Sequence, residues 1–226
     1  MKLKSKLMIL VLTLALLCGA IALIASAETT GTVVSTPEEF ANAWTNGGTF
    51  TLANDITYTG GTLTLPSGKT LTLDLGGHTL TSPGSETDAS IFLSSTSANL
   101  TVKNGTISVS NKAKAFNIGG GTVNFENLTV TNTATDEVSP DVFIEVSRAT
   151  VNMNGVYLSA KAGRTLTIAS GTTLTAVNTT VRNTIIPISG GTGRAAIQVY
   201  GNNTVTMTDS LVEAVYTGIW FQNGTS

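Results

Sequence analysis

The chain has 226 residues, 41% of them hydrophobic and only 12% charged, with a formal net charge of −2. A chain this poor in cations argues against a nucleic-acid binder, whose affinity comes mainly from Lys and Arg on phosphate. One cysteine and one histidine exclude an intrachain disulfide and leave too few soft ligands for a zinc site. Low charge with abundant Thr, Asn, Ser and Gly suits an extracellular β protein with neutral polar outer positions.

The first residues read as an export signal. Lys2, Lys4 and Lys6 form a positive start, and residues 7–24 form an apolar run. Ala25-Ser26-Ala27 then offers a small-residue cleavage site before Glu28. The alternative is an uncleaved anchor, because a run of about 18 residues is near the lower spanning limit. Cys18 follows Leu16-Leu17, which does not suit a lipoprotein site. With residues 1–27 removed, nine Lys and Arg stand against 14 Asp and Glu, a net charge of −5. The mature chain then has no thiol, no membrane segment and no nucleic-acid character.

Residues 28–48 carry a short helix. Thr36-Pro37-Glu38-Glu39 combines a capping residue, a proline at the first helical position and a glutamate three residues after the cap. Phe40, Ala43 and Trp44 share one face, and Gly47-Gly48 stops the helix. A one-sided helix this short needs a surface to lie on, and the open end of a β stack supplies one.

From Thr49 the hydrophobic period changes to two, and the pattern recurs along the chain. Apolar pairs align as Leu63/Leu65, Ile91/Leu93, Phe116/Ile118, Ile144/Val146, Leu166/Ile168, Ile197/Val199 and Ile219/Phe221, at steps of 28, 25, 28, 22, 31 and 22 residues. A second strand aligns Leu71/Leu73, Leu100/Val102, Val123/Phe125, Val151/Met153, Leu174/Ala176 and Val205/Met207. A third contributes Leu80, Ile107, Val130, Leu158, Val181 and Val212. Repeats of this length with alternating apolar strands signal a solenoid. Stacking like strands about 4.8 Å apart satisfies each backbone ladder, and parallel crossovers favour the right hand. The expected class is all-β: a right-handed, single-stranded parallel β-helix over residues 49–226, about seven coils, behind an N-terminal capping helix.

The segment Leu71-Thr72-Leu73-Asp74-Leu75-Gly76-Gly77-His78-Thr79-Leu80, behind the helix, resembles the opening coils of right-handed β-helix proteins of the pectate-lyase-like superfamily. The resemblance covers residues 36–226 and implies the fold and a bacterial surface or adhesin-like protein. It implies no activity: the paired aspartates and histidine turn of polygalacturonase-type relatives have no counterpart, nor do the calcium-binding aspartates and catalytic arginine of pectate lyases. Gly218-Ile219-Trp220-Phe221 opens a further coil with no polar terminal cap behind it. Since a solenoid needs such a cap, this pattern leads to the expectation of a truncated C-terminal end and a missing C-terminal part of the same protein as partner.

Three polar groupings are candidates for function. Asn104, Asn127, Asn178 and Asp209, with Gly155 between, recur at one corner; Asn, Asp and Gly tolerate a left-handed backbone there, which reads as a structural ladder. The long connections near residues 82–89, 132–140 and 183–195 fall at another corner and stack into a ridge. They bring the weak catalytic candidates Glu86, Asp88, Asp136, Glu137 and Asp141, carboxylates at a separation of about 10 Å that suits inverting glycoside hydrolysis. Grouped carboxylates also suit Ca2+, although no complete metal motif is present and no cofactor is expected. The outward first-strand column reads Phe92, Asn117, Glu145, Thr167, Gln198 and Trp220. Its Glu145, Gln198 and Trp220, with Arg194, suit a sugar, since a ring offers an apolar plane and amides offer hydrogen bonds. The outward second-strand column Thr72, Thr101, Asn124, Asn152, Thr175 and Thr206 is too interrupted for an ice-binding threonine array. The lone His78 suits a structural position. The expectation is a secreted or cell-surface module binding a polysaccharide or glycan surface without catalysis, with a polysaccharide lyase or glycoside hydrolase as the alternative.

Overall fold

The computed structural model describes residues 31–222 apart from 84–89, 111, 135–140 and 186–193. The expected signal segment, and Glu86, Asp88, Asp136 and Glu137, lie outside the described residues.

The chain opens with β1 (Thr32–Val34) and α1 (Pro37–Asn46), then β2 (Gly48–Leu52) and β3 (Ile56–Thr57). Thr36 caps α1: its Oγ1 accepts from the Glu39 N–H at 3.2 Å, while Glu39 Oε2 accepts from the Thr36 N–H at 3.1 Å. Two donors that the first turn leaves free are thereby satisfied. Gly47, at φ 72°, ends the helix and donates to the Ala43 carbonyl at 3.0 Å.

The repeating part follows. Its strands are β4 (Leu63–Leu65), β5 (Thr70–Asp74) and β6 (Thr79–Ser82); β7 (Ser90–Ser94) and β8 (Asn99–Val109); β9 (Lys114–Ile118) and β10 (Gly121–Asn132). Then come β11 (Val142–Val146), β12 (Ala149–Asn154) and β13 (Tyr157–Ala160); β14 (Arg164–Ile168), β15 (Thr173–Val177) and β16 (Thr180–Asn183); β17 (Ala195–Tyr200), β18 (Thr204–Thr208) and β19 (Leu211–Ala214); and finally β20 (Thr217–Gln222). First strands stack as a seven-stranded sheet in the order β4-β7-β9-β11-β14-β17-β20, and all other strands join a 13-stranded sheet. Among the described strands every pairing is parallel, so the fold is a parallel β-solenoid of about six turns.

The apolar columns meet in register. Phe116, Ile144, Leu166 and Ile197 pair successively, as do Leu100, Val123, Val151 and Leu174. All eight are at most 1% exposed. Burying each such side chain contributes roughly 1.5–3 kcal/mol, which offsets the ordering of strands too short to stand alone. At the N-terminal end the rings of Phe40 and Trp44 meet this column: Trp44 lies 4.6 Å from Phe92, and Phe92 lies 5.2 Å from Phe116, centroid to centroid.

One rung differs from expectation. Leu63 pairs with Phe92, Leu65 with Ser94, and Phe92 in turn with Phe116. Phe92 is therefore inward and fully buried, not part of the outward column, and Ser94 is buried with it, while the side chains of Ile91 and Leu93, the expected inward pair, lie outside the described residues. Ile91-Phe92-Leu93 is apolar throughout, so a period of two fits either phase. The aromatic surroundings of Trp44 and Phe40 select the phase that buries the largest ring.

Candidate functional site

The corner between second and third strands is built from left-handed residues. Asn104, Asn127, Gly155, Asn178 and Asp209 have φ of 57°, 47°, 65°, 48° and 50°. Amide groups link neighbouring rungs: Asn127 Nδ2 donates to Asn104 Oδ1 at 3.3 Å, and Asn104 Nδ2 donates to Asp74 Oδ2 at 3.1 Å. A Cβ on Gly155 would stand 2.8 Å from Asn127 Oδ1, so a side chain there would have to displace that amide. This polar column is occupied in holding the corner. Here β8 and β10 continue through the corner as single strands, which is why second and third strands share one sheet.

The outward face of the seven-stranded sheet gathers the other candidates. Asn117, Glu145, Thr167, Gln198 and Trp220 pair in register across five successive rungs. Glu145 accepts from Lys114 Nζ at 2.7 Å. Gln198, although outward in the alternation, is only 5% exposed; its Nε2 donates to Gln222 Oε1 at 2.7 Å. Trp220 is half-buried, and the Arg164 guanidinium carbon lies 5.7 Å from its ring centroid. The same guanidinium donates to Asp141 Oδ2 at 2.6 Å. Asp141, an expected carboxylate of the loop ridge, is thus joined to the aromatic column through Arg164.

Arg164 and Lys114 are the residues that sequence reasoning missed. Each opens a first strand two residues ahead of an inward apolar residue, a position that reads as strand start and nothing more. Their contacts across rungs give them a role: a cation from one rung lies over a carboxylate or ring of another. Arg194 is partly buried, and its Nη1 is enclosed without a hydrogen-bond partner, as is Arg164 Nε. Register places Arg194 close to this cluster, because its neighbour Ala195 pairs with Arg164.

Other polar groups serve elsewhere. His78 Nδ1 lies 3.5 Å from Asp55 Oδ1 on the N-terminal turns. On the 13-stranded sheet Arg182 Nε stands 3.7 Å from Glu213 Oε2. A hydrogen bond from Arg182 holds the Tyr157 phenol below its usual pKa. The column Thr72, Thr101, Asn124, Asn152, Thr175 and Thr206 is in register, but its amides are turned inward on it: Asn152 Nδ2 donates to Asn124 Oδ1 at 2.8 Å, and Asn124 Nδ2 to Thr101 Oγ1 at 3.2 Å. A groove between β1 and α1 is lined by Val33, Glu39, Asn42, Asn46 and Phe50, and none of the candidate residues lines it. Among the described residues no three His, Cys, Asp or Glu side chains gather as metal ligands, and no helix is long and apolar enough to cross a membrane.

Comparison with family models, with curated proteins and with solved structures finds no match. The arrangement itself therefore carries the functional argument: a half-buried indole, a pair of linked amides and two ion pairs on one sheet face.

Proposed function

We propose that this is an exported, adhesin-like surface module of the pectate-lyase-like kind that binds a glycan on the outward face of its seven-stranded sheet, without turning it over. Export rests on the positive start, apolar run and Ala25-Ser26-Ala27 of the sequence. The observation that carries the binding reading is the cluster around Trp220. Its ring supplies an apolar plane for a pyranose, and the exposed Gln222 amide, held in place by Gln198, supplies hydrogen-bonding groups beside it. Arg164 fixes the ring from one side, which lowers the entropy lost when a sugar stacks. Asp141 is already engaged by Arg164, and Glu145 by Lys114, so both described carboxylates serve to hold cations in place.

The test is retention of residues 28–226 on a panel of immobilised neutral and acidic polysaccharides. Binding to at least one, reduced tenfold or more by Trp220→Ala and unaffected by Tyr157→Ala on the other sheet, supports the reading. Retention on none of them, or turnover of a bound polysaccharide, contradicts it.

A further inference from the structure

We propose that the outward face of the second strands, on the 13-stranded sheet, binds the surface of ice through a two-column grid of threonine and asparagine. Taken alone, the column Thr72, Thr101, Asn124, Asn152, Thr175 and Thr206 is interrupted, because Asn152, Asn124 and Thr101 hydrogen-bond along it. The register adds a second column two residues earlier: Thr70, Asn99, Thr122, Thr150, Thr173 and Thr204. Each of six successive rungs thus presents Thr or Asn at both outward positions, with an inward apolar residue between them. In β5 the motif reads Thr70-Leu71-Thr72 and in β15 Thr173-Leu174-Thr175, and both leucines are 1% exposed. Five threonines in one column and four in the other fill the grid, with three asparagines.

The chemistry of the grid selects the occupant. None of its side chains is charged or aromatic. On the third strands, by contrast, the outward positions run into Tyr157, Arg182 and Glu213. On the seven-stranded sheet Lys114 and Glu145 form an ion pair. Charge begins two residues beyond the grid, where Lys103 Nζ lies 3.5 Å from Asp74 Oδ2. An anionic ligand finds no cation on the grid, and a sugar finds no ring to stack on. A protein partner finds none of the Trp, Tyr or Arg that anchor interfaces.

A neutral, periodic partner that makes hydrogen bonds fits. Rungs repeat about every 4.8 Å, and alternate residues along a strand about every 6.6 Å, close to the oxygen repeats on the faces of hexagonal ice. Branching at Cβ restricts χ1 of threonine, so hydroxyls and methyls hold that spacing. Among the described residues only Thr101 of the nine threonines spends its hydroxyl on a neighbour, accepting from Asn124 at 3.2 Å. The other hydroxyls remain for water, and the methyls restrict the orientation of the water beside them. Water held on such a lattice joins a growing ice face with little reordering.

The experiment grows ice slowly from a dilute solution of residues 28–226 and measures how much protein the ice takes up. We expect at least tenfold more uptake than for a reference protein of similar size and charge. Thr150→Tyr and Thr175→Tyr, one in each column, are expected to abolish that enrichment. Tyrosine suits an exposed strand position, and an unchanged urea midpoint checks that each variant folds. Thr129→Tyr on the third-strand face is expected to keep the enrichment in full. Exclusion of the parent from ice would overturn the proposal, as would uptake that survives both grid substitutions or is lost equally in Thr129→Tyr. Exclusion from ice with retention on crystalline cellulose, lost in the same two variants, would assign the face to a solid polysaccharide and overturn it too. Trp220→Ala is expected to leave uptake by ice unchanged, so glycan binding stands or falls separately.

Discussion

The two ends of the solenoid present the same kind of rung and meet opposite fates. At the N-terminal end Phe40, Trp44, Phe92 and Phe116 pack ring against ring and are at most 1% exposed. At the C-terminal end Ile219, in the first-strand column of Phe92 and Phe116, and Phe221 on the same strand stand 42% and 72% exposed. Composition does not distinguish them; a covering neighbour does. In a quasi-one-dimensional stack, stability is a sum of rungs and of interfaces between neighbours, so a side chain contributes according to how many rungs touch it.

That contrast can be broken by mutation. Trp44→Ala should cost about 3–5 kcal/mol, read as a lower midpoint in urea, whereas Phe221→Ser should fall within about 0.5 kcal/mol of the parent. Equal losses would remove the distinction between the ends. In the middle of the stack Leu166→Ala should cost roughly 2–5 kcal/mol, against less than about 1 kcal/mol for Ile219→Ala, which has a neighbour on one side only. At the corner Asn127→Ala should cost about 1–2 kcal/mol, because alanine is strained at the φ of 47° found there, and Asn127→Gly should recover most of that. Thr36→Ala removes the cap of α1 and should cost about 1 kcal/mol.

The smallest effect is a pH dependence at the N-terminal end. Burial raises the pKa of Tyr58, whose hydroxyl donates to the Gly61 carbonyl at 3.0 Å. A phenol with a raised folded pKa contributes stability that is complete below the ordinary value of 10.0 and is lost as pH climbs through the folded value. Denaturation above pH 10 should therefore be less steep with pH in Tyr58→Phe than in the parent. An identical slope would show that Tyr58 ionises freely in the folded chain.

How much of this was legible in the sequence depended on whether a residue's partner lies in its own strand or on another rung. The inward columns repeat with a period of two, so Leu166 and Val181 were readable from spacing alone. The helix was readable because Thr36, Pro37 and Glu39 act on one another within four residues. Phe92 was misread because its strand is apolar in both phases, and only contact with Trp44 decides between them. The Arg164 contacts with Asp141 and Trp220 span 23 and 56 residues of sequence, and no local pattern announces them. Gln198 looked exposed by alternation, yet it is buried because the alternation sets direction and the neighbours set cover.

The central claim is that successive turns stack in parallel register, with Phe116, Ile144, Leu166 and Ile197 in one inward column. Methyl and aromatic nuclear Overhauser contacts in a selectively labelled, otherwise deuterated sample of residues 28–226 test it most directly. The account predicts contacts from Phe116 to Ile144, Ile144 to Leu166 and Leu166 to Ile197. Their absence, together with close Hα–Hα contacts between β14 and β15 of the kind an antiparallel hairpin produces, would contradict it.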